Sequence, residues 1–299
     1  MKYVIIIPAK DEEKSIADTL ESVVSQSLKP EVCLVVDDNS SDRTPEIVRS
    51  YCERFSFFKY HKNLSPKHTY SLGGHVVEVF NIGLEVLRKQ GVVFDYAIKM
   101  DSDITFDPEC IKQLFSKNGI EEYGIFSGTP YYMHNDKKIM DYSPLWHAHG
   151  QFKIYNVKCI DDIGGIPLSL GWDTADNIKA MSKGWKTRAF RDAFYMMHRK
   201  VGGKSSLKKG RINHGIGAYV LGYNLIYFAI KVLHDLVRPP VMLGSAYMLF
   251  GYFKALFGEN KVILQSNEKK LLRELLWESF FIRFKSRDFV IFQLFVKSK

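Results

Sequence analysis

Three runs of apolar, mostly β-branched residues, each followed by acidic side chains, constrain the fold of this chain more than any other feature. The runs cover residues 3–8, 32–36 and 94–100, and they predict strands that are buried on both faces. Residues with helical spacing lie between them, so strand and helix alternate three times. This alternation predicts an α/β protein with a mostly parallel, Rossmann-like sheet, right-handed crossovers and flanking helices.

The acidic side chains that follow these strands are expected to lie close together. They are Asp11 and Glu12 after the first strand, Asp37 and Asp38 after the second, and Asp101 and Asp103 after the third. Because ligands bind beyond the carboxyl ends of the strands in such sheets, the pattern predicts a ligand site at that edge. Two carboxylates separated by one residue can hold a divalent cation together with water and substrate phosphates.

The segments around the first two strand ends suit a nucleotide. In VVDDNSSDRT a carboxylate can accept a hydrogen bond from a base N–H group, although either Asp37 or Asp38 is expected to cap the following helix instead. The segment PAKDEE offers backbone and side-chain contacts to the same nucleotide, through Pro8 and Ala9 at the turn and through Glu12.

The charge of the chain is concentrated in its last third. Overall, 42 Lys and Arg face 33 Asp and Glu, a formal charge of +9, whereas residues 199–299 alone hold 18 basic and six acidic residues. A run of six basic residues without an acid opens this region and includes Arg199, Lys200 and Lys204. Such a run predicts attraction to phosphates, an anionic membrane or nucleic acid, unless it is only a solvated loop.

Two uncharged stretches, residues 218–230 and 239–253, follow the basic run. Each is shorter than the roughly 20 apolar residues of a membrane-spanning helix. They favour helices that lie in the membrane interface, but an ordinary helical subdomain or a dimer surface would also explain them. The four cysteines form no CxxC pair and the apolar N-terminal run is too short for a signal peptide, so we expect a reducing, cytoplasmic compartment.

The motifs around these strand ends resemble those of a known family. VIIIPAKDEEKSI, VVDDNSSDRT and IKMDSD, in this order and with NIGL before the last, are similar to the family 2 glycosyltransferases of the GT-A fold. The resemblance implies a nucleotide-sugar donor, a Mg²⁺ or Mn²⁺ ion, and inversion at the anomeric carbon. A UDP- or GDP-sugar is the first candidate for the donor. By matching positions, it implies that Asp38 binds the base and that Asp103 ligates the metal. Asp101 is expected to contact ribose or metal-bound groups and to be a metal ligand itself, and Ser102 is expected to bind the donor.

The resemblance also assigns residues in the second half of the chain. In GWDTADNIKAMSKGWKTRAF, Asp173 falls on the Asp of the family's Glu-Asp pair and is the expected general base, with Asp176 as the second candidate. Trp172 replaces the Glu and is expected to stack on a sugar. His198 is expected to join the metal ligands. The basic residues after it are expected to contact the acceptor or a lipid phosphate, and they include Arg199, Lys200 and Lys204.

These expectations combine into one hypothesis. Residues 1–198 form a GT-A catalytic domain (1–103 for the donor, 104–198 for the acceptor), residues 199–211 a basic linker, and 212–299 an amphipathic helical region. The enzyme would act on a lipid-linked or polysaccharide acceptor at the cytoplasmic face of the membrane, as a peripheral or monotopic protein. One alternative is a soluble acceptor with the tail as a homodimer interface. Another is a non-catalytic nucleotide- or nucleic-acid-binding module, against which the basic region lacks a nucleic-acid-binding motif.

Overall fold

The computed structural model describes residues 1–64, 73–198, 207–236 and 242–285. The chain divides into two compact units. The first comprises Met1–Leu168 with Lys183–Lys200, and the second comprises Ser169–Ser182 with Val201–Lys299. The domain bounds expected from the sequence stay predictions.

The described strands of the first unit form one sheet. They are β1 (Tyr3–Ala9), β2 (Val32–Asp37), β3 (Phe58–Lys62), β4 (Tyr96–Met100), β5 (Ile104–Phe106), β6 (Tyr123–His134), β7 (Lys137–Met140), β8 (Phe152–Asn156) and β9 (Lys186–Met197). Their order is β3-β2-β1-β4-β8-β6-β9-β5, and β7 pairs with β6 at the side. The three strands expected from the sequence are β1, β2 and β4.

The sheet is mixed, so the prediction of a mostly parallel sheet was wrong for its second half. Strands β3, β2, β1 and β4 are parallel, as is the pair β6 and β9. Strand β8 runs antiparallel to both β4 and β6, and β5 runs antiparallel to β9. The alternation of strand and helix, which is the sequence signal for parallel pairing, ends at β4. Beyond it, neighbouring strands are joined without a regular crossover helix.

Helices pack on both the parallel and the mixed part of the sheet and complete its core. The described helices of the first unit are α1 (Ile16–Val24), α2 (Thr44–Arg54), α3 (His75–Lys89), α4 (Cys110–Phe115) and α5 (Val157–Asp162). Strand β1 is buried almost throughout, and its Ile5, Ile6 and Ile7 are inaccessible to solvent. The glycine of the NIGL motif, Gly83, lies where α3 touches β1, because a Cβ there would stand 2.5 Å from Cγ2 of Ile6. The motif therefore has a packing reason: only glycine allows this approach.

The second unit is helical. Its described helices are α6 (Trp172–Ser182), α7 (Leu207–Val220), α8 (Leu225–Asp235), α9 (Leu243–Leu256) and α10 (Ser266–Lys285). Helices α7 and α9 are in backbone contact, since a Cβ on Gly215 would lie 2.0 Å from the Met248 carbonyl oxygen and one on Gly251 would lie 2.1 Å from that of Ile212. Among the described residues, no helix is both long and apolar enough to cross a bilayer.

Candidate nucleotide-sugar site

Asp38 is the most completely held carboxylate at the end of β2. Asp38 is 2% exposed, and its backbone N–H donates to the carbonyl oxygen of Ala9 at 2.8 Å. Asn63 donates to Oδ1 at 3.0 Å, and His75 Nε2 lies 2.7 Å from Oδ2. Lys10 approaches the same oxygen at 3.4 Å. Burial alone would raise the pKa of Asp38, but the hydrogen bonds from His75 and Asn63 hold it below its ordinary value. Asp38 is therefore an ionised acceptor fixed in one orientation.

The neighbouring Asp37 instead accepts hydrogen bonds that hold the loop after β2. Its carboxylate accepts from the Ser40 backbone N–H at 3.0 Å and from the Tyr60 hydroxyl at 2.8 Å. The beginning of α2 is served by a different residue, Asp42, which accepts from the Thr44 N–H at 2.9 Å. The expectation that Asp37 or Asp38 caps α2 was therefore wrong, and the assignment of Asp38 to base binding stays a prediction.

Asp101 follows β4 and is paired with a buried lysine. The Lys99 ammonium donates to Oδ1 of Asp101 and to the Gly150 carbonyl oxygen at 2.8 Å, and Lys99 is 3% exposed. Burial raises the pKa of Asp101, Lys99 acts against that shift, and the negative charges of Asp103 and Glu12 add to it. The segment IKMDSD contains this lysine two residues before the acid, but the sequence did not indicate that the lysine is buried.

Asp103 and His198 lie side by side because β5 and β9 are antiparallel neighbours. The His198 backbone N–H donates to the Asp103 carbonyl oxygen at 3.0 Å, immediately after the pair formed by Ile104 and Met197. His198 is exposed, and its Nε2 lies 3.0 Å from the Thr105 hydroxyl. The structure thus brings together two residues that are 95 positions apart and that the resemblance names as metal ligands.

The PAKDEE segment forms a tight turn beside this edge. Asp11 has a left-handed backbone (φ 51°), and its carboxylate accepts from the Ser41 N–H at 2.7 Å, which ties the turn to the loop after β2. Glu12 is 6% exposed and accepts from the Ser15 hydroxyl at 2.9 Å. After burial and Asp103, the negative charge of Glu12 adds to the raised pKa of Asp101. Pro8 is partly buried, and the carbonyl of Ala9 positions Asp38.

Ser102, between the two acids, is buried, and its carbonyl oxygen accepts from the Thr19 hydroxyl of α1 at 2.9 Å. This bond fastens the Asp-x-Asp turn to the first helix. Asn63 and His75 are partners of Asp38 that the sequence motifs did not indicate. They come from two different segments beyond β2, and only the folded chain brings them to one carboxylate.

Of the residues expected on the acceptor side, Trp172, Asp173 and Asp176 belong to the second unit. Asp173 is partly exposed in the first turn of α6, while Asp176 is fully buried and accepts from the Asn177 backbone N–H at 2.6 Å. Trp172 is 8% exposed, so most of its ring is covered by protein. The remaining expected contacts lie outside the described residues, namely Arg199, Lys200 and Lys204.

Comparison with known proteins decides the family. The sequence model of Glycosyl transferase family 2 matches residues 4–167, more than half of the chain. The chain belongs to this family. A 4,4'-diaponeurosporenoate glycosyltransferase of Staphylococcus haemolyticus (strain JCSC1435) is 28% identical over 173 residues, which are 56% of this chain and 40% of that relative. This family 2 chain therefore spans less than half the length of that relative.

Solved structures place the family 2 chain in the GT-A fold. The mannosyltransferase PcManGT from Pyrobaculum calidifontis, in complex with GDP-Man and Mn²⁺, has a TM-score of 0.58 at 14% identity and covers 86% of this chain and 88% of its own. TarS 1-349 of S. aureus, in complex with UDP-GlcNAc, also has a TM-score of 0.58, at 17% identity, over 85% of this chain and 81% of its own. The predicted GT-A fold is confirmed in its coarse form, with a mixed sheet.

Proposed function

We propose that this chain transfers a sugar, with inversion, from a nucleotide-sugar donor to a hydroxyl or phosphate of a lipid-linked or polysaccharide acceptor. The observation that carries the proposal is the common edge formed by β2, β1 and β4. Asp38 and Asp101 follow β2 and β4, and the Glu12 turn follows β1 between them. The complexes of PcManGT with GDP-Man and of TarS with UDP-GlcNAc support a donor that carries a nucleoside diphosphate at this edge.

Asp38 would recognise the base of the donor. An ionised carboxylate accepts hydrogen bonds at both oxygens, and the N–H group of a base is a suitable donor. Uracil and guanine both carry such an N–H group. The low pKa of Asp38 keeps the acceptor ionised at neutral pH, and a hydrogen bond to an ionised acceptor is stronger than a neutral one.

Asp101, Asp103 and His198 would hold a Mg²⁺ or Mn²⁺ ion. Carboxylate oxygens and imidazole are suitable donors, and the Thr105 hydroxyl at 3.0 Å orients the His198 ring, as outer partners of metal-binding histidines do. No group of three His, Cys, Asp or Glu side chains that could hold a metal is assembled in the described residues, and in this proposal the donor diphosphate would supply further oxygen ligands. When bound, the ion would stabilise the negative charge that develops on the leaving diphosphate.

Asp173 would accept the proton of the acceptor hydroxyl. Of the two candidate bases, it is the one with exposed surface, because Asp176 is fully buried and bonded to the backbone of its own helix. A base must reach the proton that it removes, so exposure favours Asp173. Asp173 also lies in the first turn of α6.

The test uses a matched pair of variants in one helix. We expect Asp173→Asn to lower transfer about 10²- to 10⁴-fold while donor binding is retained, because only proton removal is lost. Asp176→Asn keeps an Oδ1 acceptor for Asn177 and should stay within about tenfold of the wild type. Release of nucleoside diphosphate from UDP- and GDP-sugars, with a hydroxyl acceptor such as a polyprenol or water, provides the measurement. Full activity in Asp173→Asn would remove Asp173 from the mechanism.

A further inference from the structure

Helix α9 is apolar on both of its faces. Its inner face, which includes Met248, Tyr252 and Ala255, is buried within the second unit. Its outer face is also apolar and is open to solvent, with Phe250 58% and Phe253 44% exposed. A helix that is apolar all round is normally covered on all sides. Among the described residues, no part of the chain covers this outer face.

Helix α8 repeats this arrangement. Phe228 and Val232 are buried, whereas Ile226 and Leu233 on its other side are 66% and 55% exposed. The two helices are packed together, because the rings of Phe228 and Tyr252 stack at 4.3 Å between centroids and the Ser245 hydroxyl donates to the Val232 carbonyl oxygen at 3.0 Å. Both open faces are therefore carried by one packed pair of helices, and we call them together the α8–α9 apolar face.

The exposed charges of helices α8 and α9 themselves are basic. Across the described residues 225–236 and 242–257, the only acidic residue is Asp235, which is 6% exposed and lies 3.4 Å from Arg211 and 3.8 Å from Lys231. Lys254 is exposed on the outer side of α9. Residues 199–299 carry 18 basic and six acidic groups. An apolar face bordered by lysine complements an anionic lipid surface, where each Lys or Arg near the surface contributes about 1 kcal/mol.

The helices have the length of interfacial elements. At about 1.5 Å per residue, 11 residues of α8 and 14 of α9 extend to about 17 and 21 Å, well below the roughly 30 Å of a hydrocarbon core. Helices of this kind lie in the plane of the interface with one face in the acyl region.

We propose that the α8–α9 apolar face docks on the surface of an anionic lipid bilayer, with the outer side of α9 inserted. The proposal deepens the function proposed above, since it names the surface that would keep the enzyme beside a lipid-linked acceptor. It does not depend on the transfer chemistry, so membrane binding and donor binding can be measured separately on the full chain.

The experiment is co-sedimentation with vesicles of phosphatidylcholine alone and with 30% phosphatidylglycerol. We expect the wild type to bind the anionic vesicles at least about tenfold more tightly, and salt to weaken this binding. The double substitution F250S/F253S should reduce partitioning at least about tenfold, whereas Val93→Ser, which changes a residue 72% exposed in the other unit, should leave it unchanged. Equal binding by F250S/F253S and wild type would overturn the proposal.

A second variant guards against misfolding of the double substitution. Phe250→Trp keeps an aromatic ring, and we expect brominated lipid to quench its fluorescence more strongly than that of the wild type, whose four tryptophans form the background, while Val93→Trp shows no extra quenching. The absence of extra quenching in Phe250→Trp would overturn the proposal. So would a stable wild-type dimer that fails to bind vesicles, because a second copy would then cover the face. Loss of donor binding with intact vesicle binding would count against the proposed function alone.

Discussion

The contact between α7 and α9 can be tested with two substitutions of the same kind, two residues apart on α7. A Cβ on Gly215 would lie 2.0 Å from the Met248 carbonyl oxygen, whereas the nearest atoms to a Cβ on Gly217 are 4.0 Å away. Ordinary contact begins at 3.4 Å, so Gly215→Ala must move α9 by roughly 1.4 Å. Gly217→Ala needs no movement.

The expected free energies have opposite signs. Forced overpacking costs about 1–3 kcal/mol. At Gly217 the gain in helix propensity from glycine to alanine, about 1 kcal/mol, acts without opposition. In hydrogen exchange this corresponds to protection of the α7 and α9 amides that falls about 5- to 150-fold for Gly215→Ala and rises up to about fivefold for Gly217→Ala.

Hydrogen–deuterium exchange with mass spectrometry resolves the two helices as separate peptides. Peptides of the first unit serve as the internal reference, because neither substitution touches them. If both variants change protection by the same factor and in the same direction, the two helices are not in backbone contact, and the account of how α9 is held would fail.

Two further predictions concern the carboxylates of the donor site. Lys99→Met removes the buried cation beside Asp101, whose pKa is already raised by burial, so the pKa of Asp101 should rise further. As the pH falls, metal-dependent nucleotide binding should then be lost at a higher pH than in the wild type. A calorimetric pH series with unchanged midpoints would contradict this. His75→Ala removes a hydrogen bond that lowers the pKa of Asp38. A carboxylate with a lowered folded pKa stabilises the protein above its unfolded pKa and loses this effect as the pH falls through the folded value, so acid unfolding of His75→Ala should begin at a higher pH, as circular dichroism would show.

The parallel half of the sheet and its acidic edge could be predicted from the sequence for a physical reason. Strands buried on both faces require continuous apolar runs, and such runs are visible without a structure. The carboxyl ends of parallel neighbours then fall on the same edge, so Asp38 and Asp101 could be assigned to one site. The family resemblance, carried by the same segments, is confirmed.

The partners of these carboxylates could not be predicted. Strand β3, with the sequence FKYHK, is largely polar because it lies at the edge of the sheet, and it reads as a loop. Asn63 follows this strand and His75 begins α3, so their contacts with Asp38 depend on the folded chain. Lys99 lies inside an apolar run, where the sequence alone does not tell whether a lysine is buried.

Nothing in the sequence indicated that α6 groups with the C-terminal helices. Its residues match the family's motif for the acceptor side and so suggested a place in the catalytic domain. In the structure they pack with the C-terminal helices, and Lys179 lies 3.4 Å from Glu268 of α10. Such a contact between residues 89 positions apart leaves no trace in local periodicity.

The central claim is that the edge formed by Asp38, Asp101 and Asp103 binds a nucleotide-sugar together with a divalent cation. Isothermal titration of wild type and Asp103→Asn with UDP- and GDP-sugars, with and without Mn²⁺, tests it most directly. We expect at least one donor to bind the wild type tightly only with Mn²⁺, and Asp103→Asn to abolish this gain while folding as the wild type does. Donor binding that is independent of Mn²⁺ and unchanged in Asp103→Asn would contradict it.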